Sequence, residues 1–311
     1  MKQKVTIMAL HLGYGGVEQY ISSLCKMIGE KYDIEIIVTY KVLDKPAFEF
    51  SDNIKITYLM NTKPNRDEFK NAIGSKNPIN ILKEGFKAIK ILYLKRKLNI
   101  KAIKNIKSDY IITTRFHSSL VGKYADSNII KIATEHNYHN NDNKYINSII
   151  KSVRGFDYLV CVSEELKDFY KDRIKDTKCV YIPNVIDKNP DKSSNLRENT
   201  LINVGRLEPE KGVFDLIDVL SEVKSEIKDV KLLLIGDGSL RKEIEAKVEK
   251  NNLKDNVIFT GFVSKKELEN YYLKSKLFVM TSYTESFGLV LIEAMSYKIP
   301  CIAFDSSSVV K

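Results

Sequence analysis

Two glutamates have a spacing that could bind a ligand at both of its ends. Glu285 and Glu293 follow an apolar run, 277–280, that is typical of a short buried strand. Apolar residues then repeat at helical spacing, so we predict that the glutamates flank the first half of a helix. Eight helical residues advance about 12 Å, and free backbone N–H groups at a helix start can bind an anion. The pattern suits a ligand with hydroxyls at both ends and a phosphate between them; two solvated glutamates at an ordinary helix start are the alternative.

Two cations are predicted to lie at the same edge of the same sheet. Arg206 and Lys211 follow a second strand-like run, 201–204. Fixed cations beside a helix start favour a diphosphate site, where they would neutralise charge on a departing group. The alternative is a pair of surface cations paired with Glu208 and Glu210.

Glycine-rich turns follow several other predicted strands. The segments 236–238 and 261–263 end neighbouring strands. Each is either a plain turn or part of a ligand site, in which their backbone groups and an apolar wall would contact a nucleotide base. Near the start, Gly13-x-Gly15-x-x-Glu18 lacks the third glycine of a dinucleotide fingerprint, and the next strand has no acid to hold a ribose. These features argue against a nicotinamide dehydrogenase. Two interpretations remain: the backbone of this loop approaches a ligand phosphate, or the loop is a tight turn that binds no ligand.

His136 is the histidine best placed for chemistry, because it ends a strand of the first half of the chain. We predict a neutral side chain that donates a hydrogen bond to substrate, with a structural histidine as the alternative. The spacing His136-x-x-His139 is a weak metal signal without acidic or cysteine support. The sequence contains no Asp-x-Asp pair, the usual carboxylate bridge between a divalent cation and a diphosphate. We therefore expect no metal and no other cofactor.

The elements that must position these residues form two similar series. Strand-like and helical runs alternate over 1–187 and again over 188–311, with a polar linker at 187–198. Such alternation predicts α/β domains with parallel sheets covered on both faces. The sequence thus indicates two doubly wound domains that face one another across a cleft.

Composition restricts the class of protein. The chain has 311 residues, 43% of them hydrophobic, with neither a membrane-spanning run nor a signal-peptide pattern. Four scattered cysteines are typical of a reduced, cytoplasmic protein.

The net charge of +10 is concentrated in one segment. Residues 83–107 contain nine basic side chains and a single acid, Glu84, interleaved with apolar residues. This pattern predicts a basic amphipathic helix or helix pair, suited to an anionic membrane or to nucleic acid; a merely solvated lysine face is also open. Because no nucleic-acid-binding motif accompanies it, we expect no nucleic-acid partner and a peripheral position at the inner face of the cell membrane.

Five motifs occur in an order that resembles a known family. They are Gly15-Gly16-Val17-Glu18, Glu135-His136-Asn137, Gly205-Arg206-(x4)-Lys211-Gly212, Glu285-(x7)-Glu293 and Pro300-Cys301-Ile302-Ala303. Together they resemble the retaining nucleotide-sugar glycosyltransferases of family 4, over nearly the whole chain. The resemblance implies the GT-B fold, with two facing Rossmann-like domains, and metal-independent transfer to a glycan or lipid-linked acceptor in cell-surface polysaccharide synthesis.

The resemblance also implies roles for single residues. Arg206 and Lys211 would hold the donor diphosphate, Glu285 the transferred sugar and Glu293 the ribose. The other implied donor contacts are the amides of Phe287, Gly288 and Leu289, the base contact of Val263, and the approach of Gly15 and Gly16 to the phosphate from the first domain. His136 would lie near the reacting sugar, and no residue is implied as a nucleophile.

Two departures from the family pattern stand out. Lys298-Ile299-Pro300 lacks the usual glycine, and family members continue with further strand–helix units. We therefore expect a C-terminally truncated second domain with an exposed sheet edge. An inactive nucleotide-sugar-binding subunit and a nucleotide-sugar epimerase of the same architecture remain alternatives, whereas a phosphorylase would need a cofactor lysine for which the sequence has no motif.

Overall fold

A computed structural model describes residues 2–185 and 199–305 of the chain. The chain divides into two compact units, Met1–Ile182 and Pro183–Lys311. The predicted linker at 187–198, and with it the predicted domain boundary after residue 187, lies outside the described residues.

The first unit is built on a parallel sheet of seven strands with the spatial order β3-β2-β1-β4-β5-β6-β7. The strands are β1 Lys4–Ala9, β2 Asp33–Tyr40, β3 Lys55–Met60, β4 Tyr110–Thr114, β5 Ile130–Glu135, β6 Tyr158–Cys161 and β7 Lys178–Tyr181. The helices are α1 Gly16–Ile28, α2 Arg66–Gly74, α3 Pro78–Lys104, α4 Ser118–Tyr124, α5 Asn143–Ser152 and α6 Glu164–Lys171, and a 3₁₀ turn spans Arg115–His117.

The second unit is built on a parallel sheet of five strands with the order β10-β9-β8-β11-β12. The strands are β8 Thr200–Val204, β9 Lys231–Ile235, β10 Val257–Gly261, β11 Leu277–Met280 and β12 Cys301–Ala303. The helices are α7 Val213–Glu226, α8 Arg241–Lys250, α9 Lys265–Lys274 and α10 Leu289–Ser296, and a 3₁₀ turn spans Pro209–Lys211.

Near-continuous apolar strands account for both sheets. Ile7, Ile36 and Leu234, each in a different strand, are fully buried, as expected for parallel strands covered by helices on both faces. The predicted α/β class with two parallel sheets is confirmed in both units.

Each sheet has one place where the strand order reverses. Successive strands add in one direction from β1 to β3, and the chain then returns to place β4 on the other side of β1. In the second unit the same reversal occurs between β8 and β11. In open α/β sheets, ligands bind in the crevice at the carboxyl ends of the strands at this switch point, so the fold itself singles out one location in each unit.

The structure corrects the predicted position of the helix that carries Glu293. That helix, α10, begins at Leu289, so Glu285 lies in the preceding loop and the seven residues between the glutamates are not all helical. The reason is Gly288, whose φ of 68° is left-handed and precedes the first helical residue. The basic segment was predicted as one helix or a helix pair. Residues 83–104 lie within the single 27-residue helix α3.

Candidate functional site

The loop after β8 lies directly against the end of β11. Gly212 has a φ of 59°, and a Cβ at this position would lie 2.1 Å from the carbonyl oxygen of Thr281. The hydroxyl of Thr281 also donates to the carbonyl of Lys211 over 3.1 Å. A glycine is therefore required for the two strand ends of the switch point to come together.

This approach brings Lys211 and Glu285 into contact. The Lys211 Nζ lies 2.5 Å from Oε1 of Glu285, and the side chains are 20% and 13% exposed. The hydroxyl of Ser282 donates to the same Oε1 over 2.8 Å. The pair therefore joins the two loops of the switch point through a shielded ion pair, which is stronger than its solvent-exposed equivalents.

Arg206 lies at the exposed rim of this site. One guanidinium nitrogen is 2.8 Å from Oε1 of Glu210, and the Arg206 side chain is 63% exposed. The carboxylate of Glu208 instead accepts from the amide and hydroxyl of Ser239, over 3.0 and 2.7 Å. Arg206 is therefore a surface cation paired with a carboxylate, as the alternative interpretation predicts for it. Lys211 is instead paired with a residue on the other side of the switch point.

Glu293 lies within the second turn of α10. Its Oε2 accepts from the hydroxyl of the buried Tyr272 over 3.4 Å. Burial first, and then the neighbouring Glu293, raise the pKa of Tyr272 well above its usual value, so the phenol stays protonated and donating. The amides of Phe287, Gly288 and Leu289 precede or open this helix, and N–H groups at a helix start have no partner within the helix.

The neighbouring strand ends complete the rim of the second-unit site. Gly236 has a φ of 125°, and a Cβ here would lie 2.0 Å from the carbonyl oxygen of Gly205. Its amide donates to the carbonyl of Gly261 over 2.9 Å. After Gly261, Phe262 is 54% exposed, while Val263 packs against the apolar core below. These segments are therefore tightly packed turns with one exposed aromatic ring.

The switch point of the first unit also carries polar groups. A small cavity between the ends of β1, β4 and β5 is lined by His11, Glu18, Thr114, Phe116 and His136, among others. Glu18 is buried, and its Oε1 lies 3.2 Å from Nδ1 of His11. Burial raises the pKa of Glu18, and His11 opposes that rise.

The glycine-rich loop is shaped around Glu18. A Cβ at Gly15 would lie 2.3 Å from Oε2 of Glu18, so the carboxylate occupies the space that a side chain would need. Gly16 is the first residue of α1. The loop at Gly15 therefore packs against the Glu18 carboxylate, and the approach of Gly15 and Gly16 to a ligand phosphate stays a prediction.

His136 follows β5 and lines the same cavity. Burial lowers its pKa to about 4, so the ring is neutral near pH 7. Its Nε2 lies 3.0 Å from the hydroxyl of Thr134, which itself donates to the carbonyl of Thr113 over 3.1 Å. The tautomer of the ring determines whether Nε2 donates to Thr134 or accepts from it. The hydrogen bond from His136 to substrate therefore stays a prediction.

Three side chains at these sites were not assigned roles from the sequence. Ser282 orients Glu285, and its spacing of three residues from that glutamate is the signal that could have revealed it. His11 and Glu18 form a pair across the glycine-rich loop. An acidic residue in the first turn of a helix is common, so the sequence contains no sign that Glu18 is buried.

Neither a metal-binding cluster nor a membrane-spanning helix occurs within the described residues. Within 2–185 and 199–305, no three side chains among His, Cys, Asp and Glu converge in a way that could hold a metal ion. None of the helices in the described part of the chain combines the length and apolarity needed to cross a bilayer.

Two Rossmann-like parallel sheets, each with polar groups at its switch point, define the GT-B class of glycosyltransferase folds. A variant of TarM from S. aureus, solved with Fondaparinux, alpha-GlcNAc-glycerol and UDP, has this fold. It superposes on the chain with a TM-score of 0.77 at 15% identity, over 99% of this chain and 86% of the other. Residues 185–311 match the family model of the Glycosyl transferases group 1, so the chain contains a domain of that family.

Two curated relatives of the chain are glycosyltransferases by name. Alpha-monoglucosyldiacylglycerol synthase from Streptococcus pneumoniae is 29% identical over 237 residues, which cover 66% of this chain and 53% of the relative. An N-acetylgalactosamine-N,N'-diacetylbacillosaminyl-diphospho-undecaprenol 4-alpha-N-acetylgalactosaminyltransferase from Campylobacter jejuni is 25% identical, over 98% of this chain and 82% of its own length. The chain thus spans about half of the first relative and most of the second.

Proposed function

We propose that the chain transfers a hexosyl or N-acetylhexosaminyl group from a UDP- or GDP-sugar to a glycan or lipid-linked acceptor. The observation that carries the proposal is the Lys211–Glu285 pair at the switch point between β8 and β11. It places a cation for phosphate beside a carboxylate for hydroxyls, at the start of the helix that carries Glu293. A nucleotide sugar carries both phosphates and sugar hydroxyls.

The proposed reaction exchanges one bond at the anomeric carbon. The bond from this carbon to the donor phosphate oxygen breaks, and a bond to the acceptor hydroxyl oxygen forms on the same face, so configuration is retained. The acceptor proton passes to the leaving phosphate, and a nucleoside diphosphate is released. Lys211, Arg206 and the amides before α10 stabilise the charge that develops on the leaving group, and attack on the same face would need no enzyme nucleophile.

We propose that these cations and amides suffice without a metal ion. The support is the composition of the second-unit site, where Arg206 and Lys211 lie at the loop after β8 and the sequence has no Asp-x-Asp pair to bridge a cation to the diphosphate. Adding a chelator is therefore expected to leave turnover unchanged.

Lipid-linked acceptors and polysaccharide synthesis are the finer part of the proposal. The two relatives described above are named for a diacylglycerol glycolipid and for a diphospho-undecaprenol substrate. A membrane-embedded acceptor would require the protein to work at a bilayer surface, and the basic helix α3 favours the anionic cytoplasmic leaflet.

The test is nucleotide release from UDP-glucose, UDP-N-acetylglucosamine and GDP-mannose, each with a polyprenyl-diphosphate-linked acceptor and with diacylglycerol. We expect release with one donor and at least a roughly 100-fold loss in Lys211→Ala and in Glu285→Ala, because each removes a contact to the reacting part of the donor. Lys254→Ala is the matched control, since Lys254 forms an exposed pair with Glu249 in the same unit.

Other outcomes separate the alternatives. Tight donor binding without release for any acceptor would identify a nucleotide-sugar-binding subunit. Interconversion of free nucleotide sugars without an acceptor would identify an epimerase. Release that is unchanged in both variants would contradict the proposed site.

A further inference from the structure

Helix α3 carries an unusual stripe of exposed apolar side chains. Ile79, Leu82, Phe86, Ile89 and Tyr93, called here the apolar stripe, are each between 62% and 74% exposed. Their spacing of three and four residues places all five on one face of the helix. Isolated exposed apolar residues are normal, but a continuous row of large ones marks an interaction surface.

Basic side chains border the apolar stripe. Lys83, Lys90 and Lys97 recur every seven residues and are exposed, so they form a row along one side of it. The Lys97 Nζ lies 5.9 Å from the centre of the Tyr93 ring, with its aliphatic stem along the stripe. The helix contains only one acid, Glu84, which is paired with Lys87 at 3.5 Å.

The opposite face of α3 is fixed to the first unit. Ile91, Asn99 and Ile103 are buried, and the hydroxyl of Thr39, near the end of β2, donates to Oδ1 of Asn99 over 3.1 Å. Lys95 lies 5.7 Å above the Tyr40 ring at the carboxyl end of the same strand. The stripe therefore points away from the sheet, on a helix whose C-terminal half is held in place.

We propose that α3 inserts the apolar stripe into the headgroup–acyl boundary of an anionic bilayer, with the lysine row in contact with lipid phosphates. A helix with this arrangement lies in the plane of the interface, and its binding combines apolar burial with electrostatic attraction. The inference deepens and rests on the membrane part of the proposed function. It differs in naming insertion, rather than charge alone, as the mode of attachment.

The charge pattern disfavours the other occupants of this face. A second copy of α3 would place lysine rows against one another, which is repulsive. Nucleic acid would contact the lysines but would leave five large apolar side chains without a partner. An anionic lipid surface satisfies both the charged row and the apolar stripe.

Tryptophan fluorescence provides a direct test, because the chain contains no tryptophan. Phe86→Trp places a single reporter in the stripe. On addition of vesicles of equal parts phosphatidylglycerol and phosphatidylcholine, we expect a blue shift of its emission, and quenching when the phosphatidylcholine has brominated acyl chains. Val219→Trp on α7, at a residue that is also exposed, is the matched control and is expected to show no shift.

Vesicle sedimentation separates insertion from charge. We expect the double variant Phe86→Ser and Ile89→Ser to lose at least tenfold in vesicle affinity with every lysine intact, and Lys83→Gln with Lys90→Gln to lose a similar factor. Unreduced binding of the serine variant, or an unshifted emission from the bound Phe86→Trp variant, would overturn the inference in favour of surface charge. A lipid-free change of oligomeric state in the serine variant would overturn it in favour of a second copy.

Failure of this inference can be told from failure of the proposed function. The stripe residues lie outside both switch-point sites, so the serine variant is expected to release nucleotide at the wild-type rate with a detergent-dispersed acceptor. Normal nucleotide release together with unreduced vesicle binding would contradict the insertion of α3 and leave the proposed function intact.

Discussion

At the scale of single residues, the Lys211–Glu285 pair is the feature with the most direct consequence for stability. Lys211→Met would remove the cation from beside the shielded carboxylate of Glu285, although Ser282 would still donate to the same oxygen. We expect a loss of about 1–2 kcal/mol in the free energy of unfolding, measured by urea denaturation. Lys254→Met removes a pair whose side chains are 78% and 72% exposed, and it should cost no more than about 0.5 kcal/mol. Equal losses in the two variants would contradict the argument.

His136 gives a prediction for the pH dependence of stability. Its pKa in the native protein is about 4, against 6.5 as the ordinary value. Between these two pH values the unfolded chain binds a proton that the native chain does not, so stability falls as the pH falls through this window. Below about pH 4 both states are protonated and the contribution to the slope ends.

Removal of His136 should therefore flatten the pH profile. Between roughly pH 6.5 and 4.5 we expect the free energy of unfolding of His136→Gln to depend less steeply on pH. Its slope against pH should be smaller than that of the wild type by about 1.4 kcal/mol per pH unit. Urea titrations at several pH values in this range measure the slope in both proteins. Parallel slopes would show that His136 titrates in the native state as it does in the unfolded chain.

Residue types and spacing predicted which positions to inspect, but not how they pair. Lys211 and Glu285 were predicted at one sheet edge, and they are in contact. Their pairing depends on the close approach that Gly212 allows, and a sequence does not display such a distance. The partner of His136 likewise depends on the fold: its Nε2 meets the hydroxyl of Thr134, which donates to the backbone carbonyl of Thr113 in the neighbouring strand.

At the scale of elements, the turn at Gly212 determines whether the second-unit site can form. In Gly212→Ala the new Cβ would lie 2.1 Å from a backbone oxygen and would also require a left-handed backbone. We expect a loss of at least about 2 kcal/mol in the free energy of unfolding and a loss of donor binding, measured by urea denaturation and by calorimetry with UDP-glucose.

A second glycine gives the matched control for that substitution. Gly74 ends α2, and a Cβ there would meet no atom within 4 Å. Gly74→Ala is expected to be neutral or to stabilise by up to about 1 kcal/mol, because it reduces the freedom of the unfolded chain. A similar cost in the two alanine variants would show that the close contact at Gly212 relaxes readily.

Strand positions were more predictable than the start of α10. Parallel strands buried on both faces read as continuous apolar runs, so 277–280 could be placed to the residue as β11. The apolar repeat from Phe287 continues through the loop and into α10 without a break. Only the backbone angle at Gly288 shows where the helix begins, and a glycine alone is compatible with several conformations.

At the scale of the whole molecule, the two switch-point sites are proposed to contribute differently to one reaction. The second unit carries the groups proposed for the nucleotide and diphosphate, and the first carries His136 and the glycine-rich loop. We expect Arg206→Ala and Glu293→Ala to weaken UDP binding, measured by calorimetry, roughly 10-fold or more. His136→Ala should leave UDP affinity within about twofold and reduce turnover instead. A large loss of UDP affinity in His136→Ala would contradict this division.

The ion pair that joins the two loops of the second-unit site also determines which ligands gain from entering it. While Lys211 and Glu285 are paired, their charges offset one another, so the site offers little attraction to a simple anion. Inorganic phosphate would draw Lys211 away from Glu285 and leave that shielded carboxylate without its cation, which costs free energy. A ligand that brings hydroxyl groups together with its phosphates offers a new contact to each residue at once. Under the proposed function, the pair would favour an intact nucleotide sugar over free phosphate or a nucleoside diphosphate, and it would promote product release once the sugar has left.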